Sequence, residues 1–183
     1  MTTFSEAHAN VAKELANASV TTFTLDGSVH PGTVVAATAR MAGTYLFRAF
    51  RLNLSGVQPG QAVLFEQANE QTQVMIRIAA AIVAALGITL DNTRAGAPVD
   101  EKHQPRLSFL ETQQKLEPLY REITNRNAMS DYDGARASAV AAAMLIFQCS
   151  TILEPNTGFN ILSYGIVEGT KTAPDPVLLE GGF

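Results

Sequence analysis

The sequence predicts an all-α fold: one domain over 1–183, a bundle of about five helices with an irregular C-terminal docking arm over 155–183. Three observations lead there. Apolar residues recur at three- and four-residue spacing through several long stretches. Prolines, glycines and serine-led caps punctuate those stretches where helices start and stop. Charged residues make up only 16% of the chain, against about 25% in an ordinary soluble domain. With alanine abundant, this suits helices that pack very closely, or a surface partly covered by a second subunit.

The first helix carries Phe4, Ala7, Val11, Leu15 and Ala18 on one face. VTTFTLDGSVH (20–30) follows, with β-branched residues and an Asp-Gly pair, and reads as extended chain around a turn. Pro31 suits the first position of a second helix running to about Leu52. Its buried face holds Val34, Met41, Tyr45 and Leu52, and its other side Arg40, Thr44, Arg48 and Arg51. SGVQPG (55–60) makes a turn, and Pro59 opens a third, long helix that ends before Gly87. Leu64, Ala68, Thr72, Met75, Ala79, Ile82 and Leu86 form its apolar stripe, opposite Glu66, Glu70, Gln73 and Arg77. Past Arg77 that opposite side becomes Ala80, Ala81 and Ala84, so the back of the helix is expected to be covered all round.

TLDNTRAGAPVDEKHQP (89–105) reads as a long surface loop. Ser108 and Glu111 make a capping-box pattern for a fourth helix, in which Pro118 predicts a kink or a fresh start. Ser130 and Asp133 cap a fifth, which runs to Glu154 because Pro155 cannot continue it. Helices two, three and five are expected at the centre. In the arm, FNILSYGIV is compatible with a short helix or a strand, since glycine and proline are too frequent for a long helix.

For function the sequence excludes more than it selects. A net charge of −4, from 13 basic and 17 acidic side chains, gives no basic face for nucleic acid. The nearly apolar run over 74–86 contains Arg77 and is shorter than the roughly 20 residues of a membrane span. MTTFSEAHANVAKEL has no basic segment followed by an apolar one, and the one cysteine, Cys149, fits a reducing compartment. A cytoplasmic location without membrane partners is expected.

GIVEGTKT (165–172) comes nearest to a phosphate loop, yet Gly165 and Gly169 are one residue too close and Ala-Pro-Asp-Pro follows. It is read as a glycine-punctuated turn. No Glu-x-x-His pair supports a metal-bearing bundle, and His8, His30 and His103 sit on separate segments as surface or cap residues. No metal or cofactor is expected. Cys149 is read as a small core residue without an electropositive setting.

Two polar faces remain. The arginines of helix two are expected to pair with Glu66 and Glu70 across an antiparallel hairpin with helix three. The candidate ligand-binding set is Arg40, Arg48, Glu66, Asn69, Glu70 and Arg77. The functional expectation is a non-enzymatic bundle that self-associates, as a homodimer, and binds a protein partner or small ligand. Its alternative is an enzyme of unfamiliar type using a polar cleft between helices two and three. The apolar arm is expected to dock across the subunit boundary rather than on its own bundle.

Overall fold

The computed structural model describes residues 6–176. Among them the chain forms six α-helices and one two-residue hairpin, an all-α bundle. Helix α1 (Glu6–Phe23) buries Val11, Ala12, Leu15, Ala16 and Ser19, one stripe at helical spacing. Phe4 lies outside the described residues. Strands β1 (Thr24–Leu25) and β2 (Ser28–Val29) pair antiparallel around Asp26-Gly27, both with positive φ, as the Asp-Gly pair predicts.

Helix α2 (Pro31–Ala49) starts on proline, with His30 as its N-cap. Imidazole Nδ1 accepts the Thr33 N–H at 3.1 Å, while Nε2 donates to the Lys102 carbonyl at 2.7 Å. Every residue from Gly32 to Phe47 is buried, so α2 is the axis of the bundle rather than a two-faced helix. It ends at Ala49, short of Leu52, and Arg51 beyond it has φ 49°.

Helix α3 (Glu66–Ala85) begins well after Pro59. Gly60 sits at φ 81°, and the backbone of 60–63 is occupied elsewhere. Gly60 N–H donates to Ala173, Ala173 N–H to Gln61, and Val63 N–H to Lys171, all at 2.8–2.9 Å. A backbone paired sideways cannot also close helical turns. Ala68, Thr72, Met75, Ala79 and Val83 are the buried stripe of α3, and Leu64 ahead of it is 79% exposed. The expected all-round cover is absent among the described residues: Ala81, Ala84 and Ala85 are exposed.

Helix α4 (Phe109–Arg126) has the capping box of Ser108 and Glu111 and continues through Pro118. Pro118 and Gln114 are both exposed, so water can reach the carbonyl that loses its donor. Helix α5 (Asp131–Gln148) is capped by Ser130, and nearly all of it from Gly134 to Ile146 is buried. It ends at Gln148, short of Glu154, and Cys149 is its half-buried C-cap rather than a core residue. Burial pushes that thiol pKa up.

The expected irregular arm begins with a sixth helix, α6 (Pro155–Lys171). Pro155, read as a stop, is its first residue, and the Glu154 carboxylate caps it by accepting the Asn156 and Thr157 N–H groups. Gly165 and Gly169, read as a turn, lie within this helix against α2. A Cβ on Gly169 would stand 2.3 Å from the Arg40 carbonyl oxygen, and one on Gly43 would stand 2.4 Å from that of Ile166. Only glycine permits this approach of two backbones. The core therefore centres on α2 and α5, with α6 in the inner place expected of α3. Residues 155–171 are seated on α2 of their own chain; 177–183 lie outside the described residues.

Candidate functional site

The helix-two arginines do not pair with helix three. Arg48 instead makes a two-point contact with Glu117 of α4, Nε to Oε1 at 2.5 Å and Nη2 to Oε2 at 2.8 Å. Glu117 is 3% exposed and also accepts from Gln113 at 2.6 Å. Arg121 joins the same carboxylate at 3.4 Å, pairs with Asp131, and sits 4.4 Å above the Tyr45 ring. Burial raises the Tyr45 phenol pKa, despite its 2.8 Å bond to Thr124. This network is a buried structural junction of α2, α4 and α5, satisfied from within.

Glu66, Asn69, Glu70 and Arg77 all lie exposed along α3. No ion pair joins them to Arg40 or Arg48 among the described residues. Of the six candidate residues, Arg40 lines the pocket between α2 and α6, and the other five do not line it. The reason is that the hairpin premise fails: sixteen residues (50–65) separate α2 from α3 and carry α3 away from the arginines.

The concave surface is a pocket of about 470 Å³ between α2, α6 and the segment 96–105. That segment is held down at several points. Asn160 Oδ1 accepts the Gly96 N–H at 3.0 Å while its Nδ2 donates to the Arg94 carbonyl at 3.0 Å. Asn156 accepts the Asp91 N–H at 2.8 Å, and Thr33 Oγ1 accepts that of Arg106 at 3.1 Å. The His103 carbonyl lies so close to Gly32 that a Cβ there would stand 1.7 Å from it. His103 Nε2 donates to the Ile152 carbonyl at 3.2 Å. The 89–107 stretch is thus a strap across the N-terminal end of α2 and the first half of α6.

Ala36, Val99, Pro105 and Ile161 give the pocket apolar walls, and Tyr164, 69% exposed, stands on α6 at its side. Arg40 and Glu168 give it one ion pair, Nε to Oε2 at 2.6 Å. Arg40 is only 7% exposed and is fixed further by Nη1, which donates to the Leu107 carbonyl at 2.7 Å and Thr112 Oγ1 at 3.1 Å. Among the described residues, no serine, cysteine or histidine lines the pocket. Among the described residues, no three His, Cys, Asp or Glu side chains come together as a metal site. His8 pairs with Asp133, and His30 and His103 serve the strap.

The sequence signal for the α6 side of this site is present but needs the helix first. Asn160, Tyr164 and Glu168 recur every fourth residue, one face of α6, while Gly158, Leu162, Gly165 and Gly169 occupy the buried side. Without knowing that 155–171 is helical, the period has no meaning. A scan of protein-family models, and searches of curated proteins and of solved structures, found no match to this chain.

Proposed function

We propose that this protein is a non-enzymatic binding bundle whose ligand, a small organic molecule, occupies the pocket between α2, α6 and the strap. One observation carries the reading: a cavity of about 470 Å³ that combines apolar walls with a single rigidly held ion pair. Small-ligand sites have this character, mostly apolar with a few placed polar groups. The lining offers recognition groups and no nucleophile with an adjacent base, which favours binding over turnover.

The test is a fragment screen observed on the protein by NMR, with Ala97→Trp as the blocking variant. Ala97 lies on the strap at the pocket wall, outside the helical core, so an indole there fills the cavity without disturbing the bundle. Expected are fragments that shift the Tyr164 and Asn160 amides and lose that effect in Ala97→Trp. Fragments that act equally on both proteins, or none reaching those amides, would refute the assignment.

Self-association is a second part of the proposal, and one observation favours it. Beyond Arg77 the outer face of α3 turns to Ala81, Ala84 and Ala85, exposed where the charge of Glu66, Glu70 and Arg77 has run out. Small side chains there would let a second helix approach closely, so a second copy of this chain through α3 is the expected partner. Light scattering at tens of micromolar should give a dimer, and Ala81→Glu with Ala84→Lys should give a monomer with an unchanged circular dichroism spectrum. A monomeric parent protein rules this out.

A further inference from the structure

Among the described residues, Arg40 and Glu168 are the only ionic side chains of the pocket wall, and they pair with each other. In a guanidinium, Nε–H and one Nη2–H lie along the same edge, and a carboxylate met squarely takes both. Arg48 and Glu117 do so elsewhere in this molecule. Arg40 and Glu168 do not; they are joined by one hydrogen bond, from Nε to Oε2. Nη1 is spent on Leu107 and Thr112. Among the described residues, Nη2 and Glu168 Oε1 make no hydrogen bond. One donor and one acceptor of an ion pair that lines the pocket are therefore left without a protein partner among the described residues.

We infer that the pocket selects an uncharged ligand presenting an amide edge, an acceptor beside a donor, as in a primary carboxamide or a cyclic lactam. The inference rests on the pocket reading above. An amide carbonyl accepts from Arg40 Nη2 while its N–H donates to Glu168 Oε1, and the ligand's flat body lies against Ile161, Val99, Pro105 and the Tyr164 ring. A carboxylate of the same shape also accepts from Arg40 but sets its charge against Glu168. An amidinium satisfies Glu168 but meets Arg40. Because Arg40 is buried and anchored at two other points, it cannot swing aside to relieve either clash. Leaving one member of this partly buried pair unmatched should separate affinities by about tenfold.

Three isosteric probes decide it: benzamide, benzoate and benzamidine, each titrated into the full chain and followed at the Tyr164, Asn160 and Gly96 amides by NMR. Benzamide is expected to bind at least about tenfold more tightly than either ion. In Glu168→Gln, which leaves Arg40 uncompensated, the order should turn in favour of benzoate. Tighter binding of benzoate or benzamidine to the parent protein at those same amides overturns the amide-edge inference and leaves the pocket standing. So does a Glu168→Gln variant that keeps the parent's preference. If none of the three shifts those amides at millimolar concentration, the pocket reading itself is overturned.

Discussion

Gly169→Ala adds a single methyl group at the closest glycine contact between α2 and α6. Its Cβ would lie 2.3 Å from the Arg40 carbonyl oxygen, and 3.0 Å from both Gly43 Cα and Thr44 N. All three are backbone atoms of a buried helix, so no side chain can turn away. Carbon and oxygen settle at about 3.3 Å or more, so α2 and α6 must separate locally by about 1 Å. A gap of that size forfeits roughly a quarter to a half of the dispersion energy of the atoms along the seam. Overpacking of a core costs about 1–3 kcal/mol, and rigid backbone neighbours place this site near the upper end. Alanine returns about 1 kcal/mol through its better helix propensity. The net loss is about 2 kcal/mol, or roughly 4–8 °C in melting temperature for a chain of this size.

Gly158→Ala is the matched control, a glycine of the same helix whose added Cβ would meet only the side chains of Ile146 and Leu153, at 3.3 Å. Those can shift by a few tenths of an ångström, so its melting temperature should stay within about 2 °C of the parent once the propensity gain is included. Thermal melts by circular dichroism, supported by urea titrations, measure both. A Gly169→Ala protein that melts at or above the parent, or together with Gly158→Ala, would show that the α2–α6 seam is not the tight contact described.

Glu117→Ala leaves Arg48 and Arg121 without the carboxylate they share and should cost about 3–5 kcal/mol by urea unfolding, whereas Glu66→Gln with Glu70→Gln, both exposed, should change stability by less than about 0.5 kcal/mol; equal effects would mean the ionic junction lies elsewhere. Ala142→Leu, at a fully buried position of α5, should lower the melting temperature more than Gln73→Leu on the exposed side of α3. Burial holds the Tyr120 phenol at a pKa of about 12, against 10.0 when exposed, and also raises that of Tyr45. The unfolded chain therefore ionises first. The stability these phenols contribute is intact below pH 10 and is lost progressively from pH 10 toward about 12. The urea midpoint should fall between pH 9 and 11, less steeply in Tyr120→Phe; an unchanged midpoint contradicts the burial.

The sequence by itself determined the elements whose signals are local. The Asp26-Gly27 turn, the start of α2 at Pro31 and the caps at Ser108 and Ser130 each depend on a few neighbouring residues, and each lies where the sequence pattern places it. What depends on distant partners was decided by tertiary structure. Pro59 has the form of a helix start, but 60–63 pairs with 171–173, more than a hundred residues away, and α3 waits until Glu66. Arg48 has suitable carboxylates nearby in sequence at Glu66 and Glu70, yet the fold brings Glu117 within 2.5 Å. The glycines of 165–169 illustrate the physical reason most clearly. In isolation glycine weakens a helix, so GIVEG reads as a turn. Against Gly43 and Ala39, the missing Cβ lets two backbones touch, and packing along that seam outweighs the propensity that the local sequence reports.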